Sequence, residues 1–84
     1  MLLLIIATKN EVMILSFYSF VQNFYEDKTP LGDLARWIEK DSQFPKKEIQ
    51  PQNILNYVLN LPNIEYETLE NLKRAITLFE KFEG

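Results

Sequence analysis

Asp41-Ser42-Gln43-Phe44-Pro45-Lys46 stands between two amphipathic helix patterns, and the reading of its phenylalanine and proline decides the fold. Proline pushes the residue before it into extended backbone, so the helix that enters this stretch must end before Phe44. An apolar ring held beside a rigid proline is expected to plug the gap between the flanking helices. Upstream, Leu31, Leu34, Ala35 and Ile38 recur at helical spacing. Thr29-Pro30 supplies their start, with the hydroxyl as N-cap and proline at the first helical position, where its missing donor costs nothing. Downstream, Gln50-Pro51 repeats the device for a third helix whose stripe is Ile54, Leu55, Val58 and Leu61, ending at Leu61-Pro62.

The outer helices follow from the same periodicity. Ser16 is a good N-cap for a first helix reaching about Tyr25, because Phe17, Phe20, Val21 and Phe24 fall at i, i+3, i+4 and i+7. Glu26-Asp27-Lys28 connects it to the second. A last helix is expected from a Thr68 cap to Phe82, with Leu69, Leu72, Ala75, Ile76, Phe79 and Phe82 on one side. Glu70 lies early in it and Lys73, Arg74 and Lys81 later, an order that suits the helix dipole. Asn63 to Glu67 reads either as a loop or as an extra helical turn. No segment shows a convincing period of two, since Ile64-Glu65-Tyr66-Glu67 alternates too briefly. The expected fold is all-α, a small bundle of four to five short helices in one domain.

Composition narrows the function classes. With 84 residues the chain makes one small core, and its apolar fraction of 46% is in the globular range. It contains no cysteine and no histidine. Disulfides, thiolate nucleophiles and thiolate ligands are thereby excluded, as are the commonest base and metal ligand, and catalysis would fall to carboxylates, Lys, Tyr or Ser. We therefore expect a non-catalytic protein with no cofactor and no metal, in a cytoplasmic setting compatible with the lack of cysteine. The net charge of −3 opposes long-range attraction to phosphate. Leu2 to Ala7 is an apolar run of six, far short of the roughly 18 residues that span a bilayer, with no basic residue before it. It is neither anchor nor signal, and no membrane partner is expected.

Several pieces, in order, resemble one family. Ser16-Phe17-Tyr18, Leu34-Ala35, Asp41 with Phe44-Pro45-Lys46, and Ile54 with Tyr57-Val58 make the chain similar to the YozE-like family of small bacterial proteins with a SAM-like helical fold. The resemblance covers about Ser16 to Phe82. It departs in the last helix, where Leu72, Ala75, Ile76 and Phe79 replace a more aromatic pattern while staying apolar. Since such proteins begin almost directly with the Ser-Phe-Tyr element, the resemblance implies a single SAM-like domain over 13–84 and an upstream-start extension over 1–12. The competing reading of that extension is a short strand or apolar tail that docks on the domain. The resemblance carries a fold and no catalytic or ligand residues.

The candidate site residues are few. Trp37 lies about 60° outside Leu34, the nearest edge of its helix's apolar stripe, so partial exposure is expected. Exposed tryptophan is enriched at interface hot spots; the bland alternative folds it over Phe17 or the N-terminal extension. Arg36, Lys40, Lys46 and Lys47 cluster around the central stretch, with Asp33, Glu39, Asp41 and Glu48 interleaved, which reads as a mixed-charge solvated face more than a phosphate patch. Glu65 with Glu67, and Glu39 with Asp41, are two apart and so face away from each other on a helix, a poor acid pair. Ser42 to Gln50 spans nine residues, whereas the DNA-binding helix-turn-helix turns in three to four. The expected function is a protein-binding interaction module with no small-molecule substrate. The alternative is a nucleic-acid-binding module that uses the four basic residues.

Overall fold

The computed structural model describes residues 4–6 and 12–83. In chain order they form β1 (Leu4–Ile6), β2 (Val12–Ile14), α1 (Phe17–Gln22), α2 (Pro30–Glu39), α3 (Pro51–Leu59) and α4 (Tyr66–Glu83). The four helices make the all-α body. β1 and β2 pair antiparallel, with Leu4 opposite Ile14, Ile5 opposite Met13 and Ile6 opposite Val12. A short strand is one of the two readings of the N-terminal extension; each strand has three residues, too short for a period of two to register in the sequence. The boundary expected between residues 12 and 13 falls inside β2. The rest of the N-terminal extension lies outside the described residues.

Each helix start has a local cause. Ser16 is extended and its hydroxyl accepts from the Ser19 amide at 3.2 Å, capping α1. Thr29 does the same for α2, accepting from the Gly32 amide at 3.2 Å, with Pro30 at the first helical position. α3 also opens on a proline, but Gln50 gives no side-chain cap. Just upstream the Glu48 carboxylate accepts from the amides of Ile49 and Gln50 at 3.1 and 3.0 Å, fixing the turn that leads into the helix.

Three helix bounds differ from the sequence expectation. α1 stops at Gln22 instead of Tyr25, because Asn23 turns its side-chain amide back onto the carbonyls of Ser19 and Phe20 and the backbone tightens into i→i−3 bonds. α3 ends at Leu59, two residues before the expected Leu61. α4 begins at Tyr66, ahead of the expected Thr68 cap, with the Leu69 amide already bonded to the carbonyl of Glu65 at 3.0 Å. Between α3 and α4 the chain turns through Asn63, whose φ of 58° is the left-handed conformation that asparagine tolerates.

The core is one cluster drawn from all four helices and the central connection: Phe17, Phe20 and Val21 of α1, Leu34, Ala35 and Ile38 of α2, Phe44, Ile54 and Val58, and Leu72, Ala75 and Phe79 of α4. α4 is the longest element and touches each of the other three helices. Phe79 meets Phe17 edge-on at 5.5 Å and Phe20 at 5.4 Å. Phe82, expected in the stripe, is exposed and rests only its flank on Phe20.

Candidate functional site

Phe44 is buried, as an aromatic fixed ahead of proline should be, and two tyrosines bracket it. The Tyr57 ring stands edge-on to it at 5.5 Å and the Tyr18 ring lies tilted at 6.2 Å. The Tyr57 hydroxyl donates to Asp41 Oδ2 at 2.6 Å, and the Tyr18 hydroxyl donates to Glu39. Burial, then the Asp41 carboxylate, pushes the Tyr57 hydroxyl up to about 12; the bond to Glu39, then burial, raises that of Tyr18. Both hydroxyls stay protonated at neutral pH and hold their carboxylates in place. Asp41 Oδ1 also accepts from the Gln43 amide at 3.0 Å, and the carbonyl of Glu48 accepts from the Phe17 amide at 3.2 Å. Residues 41–50 are thus fastened to α1 through Glu48 and to α3 through Asp41, while the Tyr18–Glu39 bond ties α1 to α2 beside them.

The four basic candidates do not gather on one surface free of carboxylates. Arg36 is spent inside the fold: Nη1 donates to the carbonyls of Tyr25 and Asp27 at 2.5 and 3.1 Å, and Nη2 pairs with Asp33 at 2.6 Å, clamping the connection between α1 and α2. Lys46 holds its ammonium 5.4 Å above the ring of Tyr18, whose hydroxyl is bonded to Glu39. Lys46 and Lys47 line a shallow depression of about 510 Å³ together with Glu48. Lys40 faces a different cavity.

That cavity brings Trp37 into play. Trp37 is half-buried, packed against the core on one side, and it lines a groove of about 370 Å³. Lys40 at the C-cap of α2, Asp41 just beyond it, Leu61 to Ile64 of the α3–α4 connection, Glu65 at the entry to α4 and Thr68 in its first turn complete the walls. The placement of Trp37 agrees with its position just off the α2 stripe. The opposite wall was not singled out in the sequence, although Leu61-Pro62 marks a helix stop; Leu61 packs against the core, as its stripe position implies, and also lines the groove. A second groove of about 330 Å³ lies between Phe24, Pro30, Leu31, Arg74 and Leu78. Among the described residues no group of His, Cys, Asp and Glu is arranged to hold a metal ion, and no helix is long and apolar enough to cross a membrane.

A four-helix body closed by an aromatic plug in a long central connection is a small helical domain of the SAM-like kind. The family model described as YozE SAM-like fold matches residues 16–81, and the chain belongs to that family. The match opens at Ser16, the cap of α1, and runs through the less aromatic α4. No curated protein and no solved structure matches the chain significantly.

Proposed function

We propose that this domain is a non-catalytic interaction module whose partner is a protein that docks in the groove beside Trp37. The observation that carries the reading is the half-buried indole facing Leu61, Pro62 and Ile64 across an open cleft, since aromatic anchors in apolar clefts dominate protein-protein binding. Net charge and the scattering of Arg36, Lys40, Lys46 and Lys47 among carboxylates weigh against a nucleic-acid partner. A cytoplasmic setting, compatible with a chain free of cysteine, belongs to the same proposal.

Trp37 is the sole tryptophan, so its emission reports on the groove alone. Trp37→Ala should remove a protein retained from nuclease-treated native lysate, an anchor being worth about 2 kcal/mol or more. Should that variant fail to fold, Ile64→Ser tests the opposite wall. Salt-sensitive micromolar binding to DNA or RNA, abolished by Lys46→Glu with Lys47→Glu, would overturn the proposal in favour of the nucleic-acid reading.

A further inference from the structure

The charges around the groove select among protein partners, and we propose that it takes a peptide segment presenting an apolar side chain next to a lysine or arginine. This rests on the docking reading above. Carboxylates stand on two walls, Asp41 from the central connection and Glu65 from the entry to α4, against the single cation Lys40. Asp41 lines the groove and its carboxylate is fixed by bonds to the Tyr57 hydroxyl and the Gln43 amide, so its charge has a set position. Glu65 is exposed and, among the described residues, makes no ion pair. Lys40 sits at the C-cap of α2, where the helix dipole already favours its charge and where a long flexible stem lets the ammonium swing to water. Trp37 adds to the preference, because indole attracts cations more strongly than any other side-chain ring. Two carboxylates and an indole around an apolar floor complement a cation set beside a hydrophobic anchor, and such complementarity sets specificity more than raw affinity.

A random linear peptide library displayed on phage, selected on the full chain and counter-selected on Trp37→Ala or Ile64→Ser, tests this directly. The enriched peptides should carry an apolar residue adjacent to Lys or Arg. For an enriched peptide titrated against Trp37 emission, Glu65→Gln should weaken binding about two- to fivefold and Lys40→Gln should tighten it by a similar factor, both effects shrinking with added salt. Enrichment of acidic or uncharged peptides, or weaker binding in Lys40→Gln, overturns the charge inference while leaving the groove as the docking site. No enrichment over the groove variants overturns both.

Discussion

A methyl group on Gly32 would sit 1.8 Å from the carbonyl oxygen of Asp27 and 2.9 Å from that of Phe24. Both obstacles are backbone and cannot rotate aside, so the first turn of α2 approaches the α1–α2 connection only because residue 32 has no side chain. Gly32→Ala gains about 1 kcal/mol of helix propensity, yet it should lose about 3 kcal/mol or more through this overlap, visible as a lower urea midpoint. Phe44 is the counterpart where space is filled. Phe44→Ala removes the ring held between Tyr18 and Tyr57 and should cost roughly 3 to 5 kcal/mol, enough to unfold much of a small domain. An unchanged midpoint in either variant would refute the packing described. Phe44 was legible in the sequence because Pro45 fixes its backbone locally. Gly32 was not, because the atoms that forbid a methyl there come from the preceding connection, and a lone glycine in a helical stripe gives no sign of them. The backbone part of the Arg36 clamp was hidden for the same reason, since two of its partners are carbonyls, which sequence does not display.

Caps and prolines located the elements well. Ser16, Thr29 and Pro51 start α1, α2 and α3 where their chemistry places them. Helix ends were less legible, since α1 yields to a side-chain bond from Asn23 that competes with its own ladder. The β1–β2 pairing was the least legible element, its strands too short for a pattern. Among the residues whose burial is described, the fully buried core begins at Phe17, and the family match begins at Ser16. A chain starting at Met13, which loses β1 and leaves β2 unpaired, should therefore keep its Tm within about 5 °C of the full chain, by thermal unfolding followed in far-UV circular dichroism. A larger drop would show that the hairpin contributes to the helical body.

The whole molecule should have a stability plateau bounded by two of its fastenings. The Glu48 carboxyl is held below its usual range by the Gln50 amide first, with the Asn53 side chain and the Ile49 amide adding to it. A lowered folded pKa contributes stability that is complete above the unfolded value near 4.5 and is lost as pH falls through the folded one. Tyr57 has the opposite sense: raised to about 12, it contributes stability that is complete below about 10 and is lost as pH climbs toward 12. Tm measured across pH should fall on both sides, with Glu48→Gln flattening the acid limb and Tyr57→Phe the alkaline limb. An unaltered limb in its variant would remove that bond from the account. The bond from the Phe17 amide to the Glu48 carbonyl joins parts of the chain that lie far apart in sequence. This amide opens the first turn of α1, so the helix carries no earlier carbonyl of its own to shelter it. Its hydrogen is shielded by the same connection that carries the buried Phe44. Exchange of that single proton with deuterated solvent thus records detachment of the central connection from α1, and the amide of one residue in a six-residue helix becomes a clock for that local opening.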